Sequence, residues 1–216
     1  MMKKLLLIVG LSLALSPAII LASTGMNSGD RQWHFTVYLD DKEIGYHRFS
    51  ITHEAEQKRV ISEARFDVRF WFINAYEYRH YNRETWRNGC LVEVDSATDD
   101  NGTLSQVRAR KNDGQLIFSQ PGDKSLEGCV RSFAYWSPRL LDTPRLLNTQ
   151  TGEYQNVEII SLGTDSITMS DQVRQAKRYR IRNETFEIDL WYSDQDQWLA
   201  LESSTESGAT LRYRIQ

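Results

Sequence analysis

Apolar and polar side chains alternate along most of the chain, which is the pattern of β-strands that bury one face and expose the other. In residues 33–39 every odd-numbered residue is apolar, and the alternation recurs in residues 60–68. The same pattern, with aromatic and β-branched residues, predicts further strands at residues 44–51, 76–86, 91–97, 104–109, 116–119, 156–162, 176–182, 186–192, 198–203 and 211–215.

Turn residues separate these segments, and Asn101-Gly102 is the strongest hairpin signal among them. Short strands joined by turns predict a mainly β fold. We expect a single antiparallel meander that forms a strongly curved sheet or an open barrel. Residues 32–216 are predicted to be one domain, because no repeat, low-complexity tract or linker divides them.

One segment departs from the alternation. Apolar residues between Phe133 and Leu141 are spaced by three, four and seven, which fits one or two helical turns better than a strand. Pro138 is expected to end or kink such a helix near Ser137. A short helix at about residues 130–141, packed on the concave face of the sheet, is therefore predicted.

The N-terminus has the three parts of a secretory signal peptide. Lys3 and Lys4 precede an apolar run at residues 5–15, and Pro17 and small residues up to Ala22 follow. This predicts a signal peptide at residues 1–22 that is cleaved near Ala22, and hence a periplasmic protein. The alternative is an uncleaved N-terminal membrane anchor.

The mature chain is expected to begin with a flexible lead-in at residues 23–31 and to contain no transmembrane span. Loss of residues 1–22 removes two lysines and no acids, so 24 Lys and Arg remain against 29 Asp and Glu and the formal charge changes from −3 to −5. An acidic chain of this kind lacks the clustered basic surface that nucleic acid requires, so no nucleic-acid partner is predicted.

Cys90 and Cys129 are the only cysteines. In an oxidising compartment two cysteines are more often paired than free, so a disulfide between them is predicted. Two alternatives remain open from the sequence. Cys129 could be a nucleophile with a histidine as its base, or both thiols could be unreactive.

Several motifs together resemble an exported Gram-negative family of unknown function. They are Trp33-x-Phe35-x-Val37-Tyr38-x-Asp40-x-x-x-Ile44-Gly45, the aromatic run at residues 70–78, Trp86-x-x-Gly89-Cys90-Leu91, Thr98-Asp99-x-Asn101-Gly102, Gly128-Cys129-x-x-Ser132-Phe133-Ala134-Tyr135-Trp136 and Leu190-Trp191-Tyr192-Ser193. The second half also resembles a broader group of periplasmic domains of unknown function. That group is similar to curved-sheet envelope proteins, some of which carry lipid or lipoprotein. The resemblance implies location and fold, and it implies no catalytic residue.

The chain contains six tryptophans in an otherwise hydrophilic composition. Ligand cavities for apolar molecules are lined by such rings with a few polar anchors. We therefore expect a non-enzymatic module that binds an apolar or amphipathic ligand such as lipid. The candidate ligand-binding residues are Trp71, Tyr78, His80, Tyr135 and Trp136. The alternative for the rings is that they fill the core.

Two other functions remain open from the sequence. A structural or adaptor protein of an envelope complex would dock its partner on an exposed sheet edge, for which the strand at residues 211–215 is a candidate. An envelope hydrolase or transferase would use Cys129 or a carboxylate. His34 and His47 are expected to face each other across a hairpin, but no third ligand accompanies them, so no metal site and no cofactor are predicted.

Overall fold

The structure is a computed structural model that describes residues 30–70, 73–119, 124–169, 172–205 and 207–216. The predicted signal peptide at residues 1–22, the lead-in up to residue 29 and the candidate ligand residue Trp71 lie outside these ranges. The first strand begins at Arg31. No helix in the described ranges is long and apolar enough to cross a membrane.

The described chain is almost entirely strand. The strands are β1 (Arg31–Leu39), β2 (Lys42–Glu54), β3 (Gln57–Phe70), β4 (Ile73–Arg87), β5 (Cys90–Asp100), β6 (Thr103–Asn112), β7 (Gln115–Phe118), β8 (Ser125–Glu127), β9 (Arg145–Leu147), β10 (Tyr154–Asn156), β11 (Glu158–Met169), β12 (Gln172–Arg182), β13 (Glu187–Tyr192), β14 (Trp198–Ser204) and β15 (Thr210–Ile215). The predicted strands are all present. The short strands β8, β9 and β10 were not predicted.

Thirteen of the described strands form one antiparallel sheet in the order β11-β12-β13-β14-β15-β1-β2-β3-β4-β5-β6-β7-β8. The chain starts in the middle at β1 and meanders to the edge strand β8. It then crosses to the opposite edge, β11, and meanders back until β15 pairs with β1, with Phe35 opposite Ile215. The predicted mainly β, antiparallel, curved sheet is confirmed, and the strands that the structure describes do not close it into a barrel.

The strand at residues 211–215 is not a sheet edge, so that prediction is wrong. It belongs to β15, which pairs with β14 on one side and with β1 on the other. The last strand returns to the first because the second half of the chain adds its strands toward the centre of the sheet. The edges in the described part of the sheet are β8 and β11.

Strand parity decides which side chains enter the core. In β1 the side chains of Trp33, Phe35 and Val37 are buried, as the alternation predicts. Asn101 and Gly102 have φ values of 51° and 89°, as a two-residue turn with positive φ at both positions requires. The sequence-based assignment of strands and turns is therefore confirmed in this half of the sheet.

The segment that joins the two sheet edges, residues 128–157, lies against the inner face of the curved sheet, and we call it the crossing segment. The backbone N–H of Leu91 in β5 donates to the carbonyl of Val130 at 2.9 Å. The Trp136 ring contacts Trp86 edge-on, with ring centroids 5.5 Å apart. The ring of Tyr135 lies 5.5 Å from that of Trp198. The crossing segment thus fills the space that the sheet encloses.

The predicted short helix at about residues 130–141 is present only in part. Only a 3-10 helix is present, at Pro138–Asp142, and Pro138 begins it instead of ending a longer one. The preceding backbone bonds to a neighbouring strand: the Phe133 N–H donates to Leu147 and the Leu147 N–H donates to Arg131. Because these backbone groups already form hydrogen bonds with another segment, they are not available for the hydrogen bonds of a helix.

Cys90 and Cys129 form a disulfide, with their Cα atoms 5.0 Å apart. It ties the start of β5 to the start of the crossing segment. The predicted pairing is confirmed, and the alternatives of a catalytic thiol at Cys129 or two free thiols are wrong. A structural disulfide indicates an oxidising, exported environment.

Removal of the disulfide should destabilise the fold, because the bond closes a loop between residues 39 positions apart. The double variant Cys90→Ser, Cys129→Ser is expected to lose about 3–4 kcal/mol of unfolding free energy, measured by urea denaturation. The wild type in reductant is the control and should match the variant. Equal midpoints for oxidised wild type and variant would contradict the expectation.

Gly45 should tolerate no side chain. Its φ is 151°, and a Cβ atom there would lie 1.9 Å from the carbonyl oxygen of Arg65 in β3. Gly45→Ala is therefore expected to cost about 3 kcal/mol or more in urea denaturation, from clash and backbone strain together. Gly102→Ala is the control: its φ is also positive, but nothing lies within 4 Å of the new Cβ. It should cost only about 1 kcal/mol.

Candidate functional site

Polar side chains line the inner face of β4 because residues two apart share a face. His80, Asn82 and Glu84 are all buried there, between Tyr78 and Trp86. They border a cavity of about 180 Å³, which we call the inner cavity. The crossing segment borders it from the opposite side with Phe133, Tyr135, Trp136, Thr149 and Gln155.

Glu84 is the carboxylate of the inner cavity. Its Oε1 accepts hydrogen bonds from Asn82 Nδ2 at 3.0 Å and from Ser132 Oγ at 2.9 Å, and its Oε2 accepts one from Trp86 Nε1 at 2.7 Å. Burial raises the pKa of Glu84, and these three hydrogen bonds oppose that shift. All three donors are neutral groups.

Two histidines lie on the same inner face. His47 contacts Ser62 Oγ at 2.7 Å and the Tyr213 hydroxyl at 3.2 Å, and His80 contacts Thr98 Oγ1 at 2.9 Å. Burial lowers the pKa of His47 well below its usual value and lowers that of His80 to about 4. Both rings are therefore neutral at physiological pH.

A larger concavity of about 630 Å³ opens at one end of the sheet, and we call it the tryptophan cleft. Trp33, Trp86 and Trp136 form one side of it, and Arg31, Lys58 and Arg139 line it as cations. The Lys58 ammonium lies 5.8 Å from the centre of the Trp136 ring. Aromatic surface and positive charge thus meet in one cleft.

The three cations of the cleft repel one another. Burial lowers the pKa of Lys58, and the charges of Arg31 and Arg139 lower it further. In the part of the chain that the structure describes, none of the three forms an ion pair with a carboxylate. The acids Glu56 and Asp196 also border the cleft, and they are exposed, as are the three cations. The cleft is therefore suited to an anionic group.

A third concavity, about 810 Å³, lies on the outer face of the sheet beside Trp191. Its charged groups already neutralise each other. Arg178 pairs with Asp165 at 3.2 Å, and Arg212 pairs with Glu202 at 3.1 Å. It therefore has fewer charged groups without an ion-pair partner than the tryptophan cleft.

The structure brings together part of the predicted ligand site. His80, Tyr135 and Trp136 border the inner cavity, and Trp136 also borders the tryptophan cleft. Tyr78 is buried and stacks on Phe66 with ring centroids 5.1 Å apart, so it packs in the core next to His80. Each tryptophan that the structure describes is at most 7% exposed, so these rings also fill the core.

The predicted pair of His34 and His47 does not face across the hairpin. His34 lies opposite Arg48 and His47 lies opposite Phe35, so the two histidines point to opposite faces of the sheet. The bulge in this hairpin lies elsewhere, between Val37 and Tyr38. In the described ranges no group of three or more His, Cys, Asp or Glu residues could hold a metal ion.

No sequence motif indicates the three cations of the cleft, Arg31, Lys58 and Arg139. Arg31 was assigned to the flexible lead-in. Lys58 was detectable, because it precedes Val60 by two and therefore shares its inward face. Arg139 carried no such signal, since its position depends on how the crossing segment folds back toward Gly89, against which its guanidinium packs.

Known proteins define the family and the fold. A family model described as "Domain of unknown function (DUF6134)" matches residues 35–216. Comparison with curated proteins finds no match. Among solved structures, a beta-barrel-like protein of domain of unknown function DUF1849 from Brucella abortus is similar, with a TM-score of 0.62 and 9% sequence identity. The similarity covers 86% of this chain and 94% of that one, and at this identity it concerns the fold alone.

Acidification should destabilise the protein through His80. Its pKa is about 4 in the folded protein, against about 6.5 in an unfolded chain. Between these values the unfolded chain binds more protons, so stability is full above the unfolded pKa and falls as the pH decreases. In His80→Gln the loss of unfolding free energy between about pH 7 and about pH 5.5 should be smaller by about 1 kcal/mol.

Urea denaturation at the two pH values measures this effect. His34→Gln, on the outer face, controls for removal of a histidine. An unchanged pH dependence in His80→Gln would show that the folded protein accommodates a charged His80.

Proposed function

The chain belongs to this family of domains of unknown function, and from that premise we propose that it is an exported, periplasmic, non-enzymatic protein that binds an amphipathic anion in the tryptophan cleft. A lipid with an anionic head group is the ligand class with this chemistry. The observation that carries the proposal is the set of three cations, Arg31, Lys58 and Arg139, beside three tryptophans.

The cations of the cleft suit the anionic head group of such a lipid, and its aromatic surface suits the apolar chain. Three cations without ion-pair partners in the described chain favour a bound anion, because its charge relieves their repulsion. The exposed parts of the three tryptophan rings, each ring at most 7% exposed, and Pro138 offer a small apolar contact to a chain. The volume of about 630 Å³ is within the range of ligand pockets, about 300–1,000 Å³.

The inner cavity is a poorer lipid site. Its volume of about 180 Å³ is below that range, and its walls carry Asn82 and Glu84. The expected apolar ligand is therefore proposed for the cleft and not for the interior of the sheet. For the enzymatic alternative, Cys129 is paired and Glu84 is held by three hydrogen bonds, which supports a binding role.

The sheet edges support a second candidate function, that of an adaptor in an envelope complex. The edge strand β11 has twelve residues and pairs only with β12 in the described sheet. An unpaired edge of this length can accept a strand from a partner. This edge replaces the strand at residues 211–215 as the candidate docking surface.

A direct test is native mass spectrometry of the mature protein, purified gently from the envelope of its own host, followed by organic extraction. An extra mass that extracts as an anionic lipid is expected. The bare polypeptide mass would favour the adaptor function.

Binding of defined lipids tests the site itself. Lysophosphatidylglycerol, which is anionic, is expected to change the tryptophan fluorescence at lower concentration than zwitterionic lysophosphatidylcholine. Lys58→Gln should weaken the anionic lipid by about tenfold, because a charge-assisted hydrogen bond is lost. Arg59→Gln is the matched control: Arg59 is the next residue on β3, on the opposite face, and pairs with Glu54 at 3.0 Å. Equal affinities for both lipids and for both variants would contradict the proposal.

A further inference from the structure

We propose that the inner cavity is a second binding site, distinct from the tryptophan cleft, and that it takes a small organic ammonium ion. The proposal is independent of the function assigned to the cleft. It depends on one buried carboxylate, two unpaired acceptor oxygens and a set of aromatic walls.

Glu84 supplies the negative charge. It is 4% exposed, and in the described chain it has no Lys or Arg partner within ion-pair distance. A buried carboxylate without a cation is costly, even when neutral donors bond to it. A carboxylate has about four acceptor positions, and Asn82, Ser132 and Trp86 occupy three. One position therefore remains for a donor from the cavity.

The unpaired oxygens point to a ligand that donates hydrogen bonds. Asn82 is 6% exposed, and its amide nitrogen is directed to Glu84 at 3.0 Å and to Thr149 at 3.4 Å. Its Oδ1, like Oε1 of Gln155, is buried without a hydrogen-bond partner among the described residues. Both residues border the inner cavity. Buried acceptors of this kind need a donor.

Aromatic rings surround the same space. Those that border the cavity are Phe49, Phe133, Tyr135, Trp136 and Phe186. The faces of aromatic rings attract cations, most strongly when the cation is desolvated. Phe133 and Phe186 contact each other edge-on, with ring centroids 5.5 Å apart. An ammonium ion bound here would interact with the carboxylate of Glu84 and with the faces of these rings.

The histidines that border the cavity do not supply a positive charge to pair with Glu84. His47 and His80 are neutral, since burial lowers the pKa of each, and each bonds to a hydroxyl. The hydroxyls of Tyr135 and Tyr213 also stay protonated, because burial raises their pKa values. Glu84 is thus the one carboxylate bordering the described cavity. The volume of about 180 Å³ corresponds to roughly six water molecules, enough for a short alkylammonium ion.

Butylammonium, 1-butanol and butyrate are suitable probes, because they are similar in size and differ in charge and donors. The indole N–H of Trp86 bonds to Glu84 Oε2, so its NMR signal reports on the carboxylate. Butylammonium is expected to shift this signal saturably at millimolar concentration. Butanol should bind at least about tenfold more weakly, and butyrate should give no shift. Equal binding of the alcohol, or no saturable shift by the ammonium ion, would overturn the proposal and identify a cavity for water alone.

Variants separate this site from its surroundings. Glu84→Gln keeps the shape and removes the charge, and should weaken butylammonium by about thirtyfold. Glu63→Gln, which bonds the Tyr46 hydroxyl on the outer face, is the matched control and should bind normally. If Glu84→Gln does not fold, Phe186→Leu removes one aromatic wall at a half-buried position and should weaken the ion several-fold. Lys58→Gln should leave the affinity for butylammonium unchanged, and a weaker affinity in this variant would overturn the separation of the two sites.

Discussion

A curled sheet of thirteen strands encloses a space that has to be filled, because apolar side chains that face a void lose both their packing contacts and the benefit of leaving water. Here the chain fills that space with its own crossing segment, residues 128–157, on the way from β8 to β11. Trp198, fully buried, contacts Phe35 from β1 and Tyr135 from the crossing segment, with ring centroids 4.3 Å and 5.5 Å away. The disulfide holds the start of the segment beside β5.

Filling the interior with irregular chain brings backbone polar groups inside, and these need partners. This explains the polar residues on the inner face of β4 and β5, which an apolar core would not contain. Ser96 Oγ donates to the carbonyl of Thr149 at 2.5 Å, and Glu84 accepts from the Ser132 hydroxyl. Where the crossing segment meets the sheet, the side-chain amide oxygens of Asn82 and Gln155 are buried without a hydrogen-bond partner among the described residues.

The sequence was sufficient to predict the strands, because alternation and turn residues are local signals. It was insufficient to predict the conformation of the crossing segment. The apolar residues from Phe133 to Leu141 have helical spacing because they contact the sheet on several sides, and not because they form one long helix. The candidate ligand residues are brought together only in part. His80, Tyr135 and Trp136 border the inner cavity, but the cations of the cleft come from three distant parts of the chain. Arg139 in particular has a place in the cleft only through long-range packing that no local pattern encodes.

Both candidate sites depend on one register, that of β3 against β4. Along the inner face Lys58 lies opposite Trp86, Val60 opposite Glu84, Ser62 opposite Asn82 and Ala64 opposite His80. Each polar residue of β4 therefore faces a small residue of β3, which leaves room for the inner cavity, while the Lys58 pair opens into the tryptophan cleft. Trp86 connects the two, since it borders the cleft and donates its N–H to Glu84. A slip of one residue would turn Lys58 outward and leave Glu84 without its site, because parity assigns every side chain to one face. This strand pairing thus places Lys58 in the positive cleft and Glu84 in the acidic cavity.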